Sequence, residues 1–275
     1  MKTKGQGAEP AQLLDAAIGI AEEAGRRIME IHSSGYAVQR KEDQSPLTAA
    51  DLAAHTTIAR GLQELTPDVP LLSEESSGIP YSRRRTWDRY WLVDPLDGTK
   101  EFISGSREFT VNIALIEDHA PVLGVVLVPA MNRCFAAATG RGAFVRNEGG
   151  PAVAIHARKT MRGKFIVAGS RSHGSELQER FFTALGPDTE VLSMGSALKF
   201  CLVAEGRVDI YPRFGPTSEW DTAAAQCVVE QAGGVVTDLR FEPLRYNTRE
   251  SVLNPHFLVI ADPAFDWRSY LPPVS

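Results

Sequence analysis

The 275-residue chain is 43% hydrophobic, 8% aromatic and 23% charged, the balance of a folded globular protein and not of a disordered or fibrous one. Its formal net charge of −5 lacks the basic excess that nucleic acid, a polyanion, would require of a partner. Cys134, Cys201 and Cys227 form no CxxC pair and no complete disulfide framework, which points to a reducing, cytoplasmic setting without zinc or thiol chemistry.

The opening MKTKGQGAEPAQ has two lysines but no apolar run behind them, so it does not read as a signal peptide. No apolar stretch approaches the 18 or so residues of a membrane span. A helix is expected from Pro10, with Leu14, Ala17, Ile18, Ala21, Ala24, Ile28 and Ile31 on one face and a stop at Gly35. A hairpin or loop follows over 36–47. A second helix should start at Thr48, with Leu52, His55, Ile58, Leu62 and Leu65 facing inward. From residue 70 the period becomes that of strands: PLLS, YWLV, EFTVNIALI, PVLGVVLVP, RCFAAAT, GAFVRN and PAVAI, joined by short turns that favour antiparallel pairing. From 164 strands alternate with helices, ending in DTAAAQCVVEQA, GVVTD and HFLVIA. These patterns divide the chain into an antiparallel half, 1–160, and an α/β half, 161–275.

Acidic residues gather where elements stop. Glu74 and Glu75 follow PLLS, Asp94 and Asp97 follow YWLV, Asp221 opens DTAAAQCVVEQA, and Asp51 sits in the first turn after Thr48. In DPLDGT, Pro95 forces a turn and Gly98 permits a tight bend, so two carboxylates and the Leu96 carbonyl can converge as oxygen ligands for a hard cation such as Mg²⁺. The same residues also read as a Gly-assisted turn with Asp94 capping amides. Thr48–Asp51 fits a capping box, Asp221 an N-cap, and Glu74–Glu75 a solvated strand end. Lys41 and the run Arg83–Arg84–Arg85 read as solvated, His55 as half-buried, and Met194 with Phe181–Phe182 as core.

Three strings in this order change the weighing: SEES at 73–76, DPLDGTKEF at 94–102 and EWDTAAAQCVVEQAGG at 219–234. Together they resemble the signature set of the inositol monophosphatase superfamily, Mg²⁺-dependent and lithium-sensitive phosphatases, and the likeness runs from SPLTAAD to GGVVTD. Lys100-Glu101-Phe102 after DPLDGT, the string EFTVNIALI, and YPRFGPTSEWDTAAAQ at 211–226 are most similar to the bacterial 3′(2′),5′-bisphosphate nucleotidase branch. Residues 77–88 depart from its pattern.

The resemblance implies an α/β (α+β) fold layered αβαβα, with the site between an antiparallel and an α/β half. It implies that Glu74, Asp94 and the Leu96 carbonyl hold one Mg²⁺, that Asp94, Asp97 and Asp221 hold a second, and that a third is held through Glu74. Asp51 and Thr99 would orient and deprotonate the attacking water, with Glu74 beside them. Substrate contacts would come from Gly98, Thr99, Ser170 in GSRSH, Ser196 and the helix start behind it, Lys199, Arg213 and Asp221. The bland alternatives are that Ser196 is an N-cap and Lys199 a solvated lysine. The implied activity is hydrolysis of adenosine 3′,5′-bisphosphate to AMP and phosphate by a cytoplasmic enzyme, by the same resemblance peripheral at the inner membrane. An inositol or fructose-1,6-bisphosphatase-like sugar phosphatase is the alternative, and a catalytically silent nucleotide-binding protein a further one. The small-molecule phosphorylated nucleotide is the expected partner, with monomer and homodimer both open.

Overall fold

The computed structural model describes residues 8–34, 38–40, 46–162, 164–170 and 176–272. Lys41, Gly35 and residues 171–173 of GSRSH lie outside them. The outer layer is a pair of helices, α1 (Pro10–Ser34) and α2 (Ala49–Leu65), separated by the short antiparallel pair β1 (Val38–Arg40) and β2 (Pro46–Thr48). The expected apolar stripe of α1 is buried from Leu14 to Ile28, with Ile31 half-buried. α2 buries Ile58 and Leu62 as expected, together with Ala50, Asp51 and Ala54, and half-buries His55 and Leu65. Leu52, expected inside, is 48% exposed and lies off this stripe.

Beneath these helices lies a seven-stranded sheet in simple order: β3 (Leu71–Ser73), β4 (Arg89–Asp97), β5 (Thr110–Glu117), β6 (Ala120–Val128), β7 (Arg133–Ala138), β8 (Gly142–Asn147) and β9 (Val153–Ala154). β3 and β4 are parallel and the other pairs antiparallel. Two short helices, α3 (Tyr81–Arg84) and α4 (Thr99–Ile103), flank β4. Side chains alternate across the sheet: Trp91, Val93, Val111, Ile113 and Val125 meet α1 and α2, while Leu92, Ala114, Ile116 and Val126 face the opposite side.

That opposite face receives the middle helices α6 (Leu198–Ala204) and α7 (Glu219–Gln231), which follow β10 (Ile166–Ser170), α5 (Glu176–Leu185), β11 (Glu190–Met194) and, between the two helices, β12 (Ile210–Arg213). With β13 (Val235–Asp238) and β14 (Phe257–Ile260), these strands make a five-stranded sheet in the order β11-β10-β12-β14-β13. Its β11, β10 and β12 are parallel, and β12, β14 and β13 antiparallel. One apolar cluster runs from the first sheet through α6 and α7 into the second. Lying between two sheets, α7 is buried on nearly every side from Glu219 to Val229. The far face of the second sheet packs Phe165, Val167, Ile210 and Leu258 against Phe181, Leu185 and Trp267. The order is therefore helices, sheet, helices, sheet, helix: the layered αβαβα arrangement.

Candidate active site

β4 does not end at Pro95. It runs on to Asp97 with a register shift against β5 between Asp94 and Asp97, so a bulge, not a turn, aims the two carboxylates. Asp94 Oδ1 accepts the Leu96 amide at 3.0 Å, which folds the loop tightly around it. Gly98 then takes φ +89, and a Cβ there would stand 3.2 Å from the Glu108 carbonyl oxygen, so glycine suits both the backbone and the space. Thr99 opens α4, its Oγ1 3.3 Å from both Asp51 Oδ1 and the Leu96 oxygen. Asp51 is buried in the first turn of α2; its Oδ2 accepts from the Thr48 amide at 2.7 Å and the Thr48 hydroxyl at 2.6 Å. The capping box is present, and the second oxygen is turned to Thr99.

Glu74 starts a 3₁₀ turn directly after β3, beside Asp94. On the facing wall, α7 begins at Glu219, two residues before the expected opening. Ser218 is its N-cap, and Asp221, at the third helical position and not at the cap itself, closes a capping box by accepting the Ser218 amide at 2.9 Å. Glu74, Asp94, Leu96, Asp97, Thr99 and Asp221 line one cavity. Burial, then the charges of Glu74, Asp97 and Asp221, hold the Asp94 carboxyl well above the ordinary range, and its hydrogen bond with Glu74 adds to the effect. Burial raises Asp97 as well, opposed by Lys199 and the Ala197 amide. Asp221 is pushed up to about 8 by burial and by Asp97, against the Ser218 amide.

Crowded, buried and all-oxygen, this donor set matches the chemistry of a hard divalent cation. Among the described residues, no three His, Cys, Asp or Glu side chains already form a group able to hold a metal ion alone. The carboxylates ring a cleft, which suits a cation that keeps waters and shares phosphate oxygens.

A second cavity adjoins the first and shares Asp97, Gly98, Glu101, Thr217 and Asp221 with it; Met194, Ser196, Lys199, Tyr211 and Arg213 are among its other lining residues. Lys199 is not solvated. It is 6% exposed, 5.3 Å from the Tyr211 ring centre, and donates from Nζ to the Met194 oxygen at 3.2 Å and the Ser196 oxygen at 2.7 Å. Burial lowers its pKa to about 8 even though the Asp97 charge holds it up. Ser196 is not an N-cap. Ala197 holds that position without a side-chain bond, while Ser196 adopts φ +47 and its buried Oγ has no partner. Two amides ahead of this helix are already engaged: Gly195 N donates to Glu108 Oε2 at 2.8 Å and Ala197 N to Asp97 Oδ2 at 2.6 Å. Half-buried Arg213 donates to the Pro216 oxygen at 2.9 Å. Ser170 ends β10, and its side chain lies outside the described set.

Met194 packs half-buried against the core, as expected, and also lines the second cavity, whereas Arg84, expected in solvent, is 3% exposed. His55 is half-buried with Nδ1 3.0 Å from Ser73 Oγ. Sequence reasoning passed over Glu101, which lines both cavities, and Asn112, which is buried, stands opposite Asp94 in register and hydrogen-bonds Asp97. Their place inside DPLDGTKEF and EFTVNIALI was the available signal.

The sequence profile described as the inositol monophosphatase family matches residues 9–263. A protein of Escherichia coli named 3′(2′),5′-bisphosphate nucleotidase CysQ is 48% identical over 249 residues, which cover 90% of this chain and 99% of the relative. The protein of the same name from Aggregatibacter actinomycetemcomitans is 38% identical, with 93% and 95% covered. Among solved structures, CysQ of Bacteroides thetaiotaomicron, described as a bacterial member of that family, superposes with a TM-score of 0.79 at 40% identity, covering 92% of this chain and 97% of that one. Inositol monophosphatase from Anabaena gives a TM-score of 0.73 at 26% identity, covering 96% and 98%.

Proposed function

The chain belongs to the inositol monophosphatase family, and on that footing we propose that it is a Mg²⁺-dependent 3′(2′),5′-bisphosphate nucleotidase that hydrolyses adenosine 3′,5′-bisphosphate to AMP and phosphate. The observation that carries this reading is the pair of adjoining cavities. One is ringed by carboxylates and the next is lined by Lys199 and Arg213, with Asp97 and Asp221 in the wall between. A substrate with two phosphates can place one in each. A monophosphate leaves the second pair of cations unmatched.

When bound, divalent cations supply a water acidified for attack and neutralise charge on the phosphoryl and leaving oxygens. Glu74, Asp94 and the Leu96 carbonyl would hold one ion, Asp94, Asp97 and Asp221 another, and Glu74 a third. Asp51 Oδ1 accepts the Thr99 hydroxyl, so Thr99 Oγ1 can take a proton from the attacking water while passing its own to the carboxylate. Lys199 Nζ has three donors, and its two carbonyl bonds leave one for the phosphate that is not cleaved. A phosphate dianion there favours the charged amine and offsets the burial that lowers its pKa. No helix among the described residues is long and apolar enough to cross a membrane.

The test is phosphate release from adenosine 3′,5′-bisphosphate, inositol 1-phosphate and fructose 1,6-bisphosphate, with Mg²⁺ or with EDTA. An unmade charged contact forfeits ~1.5–3 kcal/mol, so the nucleotide should lead inositol 1-phosphate in kcat/KM by roughly ten- to a hundredfold, and EDTA should abolish release. Equal kcat/KM for inositol 1-phosphate would overturn the nucleotidase reading. No release from any of the three would favour a silent binding protein.

A further inference from the structure

Arg84 is the buried member of an otherwise exposed arginine run. It closes α3, in the segment that leaves Glu74 and passes through the 3₁₀ turn. Its guanidinium, 4.9 Å from the Tyr81 ring centre, spans to a segment more than 160 residues later. Nη1 donates to Asn247 Oδ1 at 2.6 Å and to the Arg249 oxygen at 3.2 Å, Nη2 donates to the Glu250 oxygen, and Asn247 Nδ2 returns a bond to the Arg84 oxygen at 2.6 Å. Asn247 stands at φ +55, in the left-handed region, and its amide donates to both oxygens of Glu219, at 3.0 and 2.9 Å.

Glu219 is the first residue of α7, two before Asp221. The same segment continues as a lacing along that helix start. Glu219 N bonds the Val252 oxygen at 2.8 Å, Asn254 N the Thr217 oxygen at 2.8 Å, and Asn254 Nδ2 the Ser218 oxygen at 2.7 Å. Val252 and Leu253 line the carboxylate cavity together with Glu74 and Ser77. Arg84 therefore joins the wall that begins at Glu74 to the wall that carries Asp221, through neutral oxygens fixed in position.

We propose that Arg84 is a positioning residue that sets the spacing of Glu74 and Asp221, and through it the affinity of the cleft for divalent cations; this rests on the metal-dependent reading above. The role requires arginine. Only a planar fork reaches a side-chain amide and two backbone carbonyls at once, whereas a lysine amine is a single point of charge.

The experiment measures thermal melting without substrate across a Mg²⁺ series starting from EDTA-treated protein. It compares the wild type, Arg84→Lys, Asn247→Gly and the double variant. Arg84→Lys keeps the charge and loses the fork. Asn247→Gly accepts the left-handed backbone and keeps the amide to Glu219, so it removes only the side-chain pair with Arg84 and leaves the guanidinium's bonds to the Arg249 and Glu250 oxygens. Each single variant should raise the Mg²⁺ concentration at half of the melting-temperature rise by tenfold or more. The double variant should shift no further than the larger single, because both break one link. Variants that melt lower in EDTA but keep the wild-type Mg²⁺ midpoint would reduce Arg84 to a structural residue and overturn the proposal. A wild type whose melting ignores Mg²⁺ would overturn the metal reading as well.

Discussion

At Asp51 one carboxylate oxygen closes the cap of α2 and the other meets Thr99, so a structural and a chemical role coexist in one side chain. They can be separated. In Asp51→Asn the amide oxygen can still accept at the cap, while the amide nitrogen donates toward Thr99 and takes up no proton. Turnover is expected to fall by ~10²-fold or more, as for loss of a general base, with the Mg²⁺ requirement unchanged. Steady-state kinetics at varied Mg²⁺ would show this; full kcat would leave the cap as the whole role. The motif residues were legible through the family resemblance, because DPLDGT alone reads equally as a turn. Lys199 was legible the same way as a phosphate contact, but its burial was not. Arg84 was missed, since its partners Asn247 and Glu250 lie more than 160 residues away in sequence.

At the scale of elements, the position of Asp221 depends on how closely α7 lies on the first sheet. Gly124 of β6 allows that approach. A Cβ there would stand 2.1 Å from the Ala224 oxygen and 2.9 Å from Cys227 Cβ, and backbone cannot swing aside as a side chain can. Gly124→Ala should therefore lift α7 and cost ~1–3 kcal/mol, the range for overpacked cores. For a chain of this size that is on the order of 2–4 °C of melting temperature per kcal/mol. Calorimetry giving an unchanged melting temperature would mean that α7 is not seated so tightly. The helix itself could be read from its apolar run. Its start was placed at Asp221, although Ser218 and Asp221 have the spacing of a capping box with Glu219 as the first helical residue, held by the 247–254 segment. The continuation of β4 past Pro95 was missed for a related reason. Proline removes a donor, and a bulge against β5 absorbs that loss without ending the strand.

Over the whole molecule, the change of period near residue 70 and again near 164 marked an antiparallel stretch and an α/β stretch, while the αβαβα layering itself was implied by the family resemblance. Leu52 shows the limit: periodicity placed Ile58 and Leu62 inside correctly, but at the start of α2 the buried positions are Ala50, Asp51 and Ala54 and not Leu52. The layering sets the carboxylate cavity, formed largely by the first sheet and the start of α7, against the cavity of Lys199 and Arg213 from the second half of the chain. That juxtaposition is what a nucleotide with two phosphates would use. The most direct measurement is kcat/KM for adenosine 3′,5′-bisphosphate against adenosine 3′-monophosphate at saturating Mg²⁺, since the bond broken is the same and only the second phosphate is missing. The bisphosphate is predicted to be better by roughly ten- to a hundredfold, the ~1.5–3 kcal/mol of a charged contact to Lys199 and Arg213. Equal values for the two nucleotides would contradict the account.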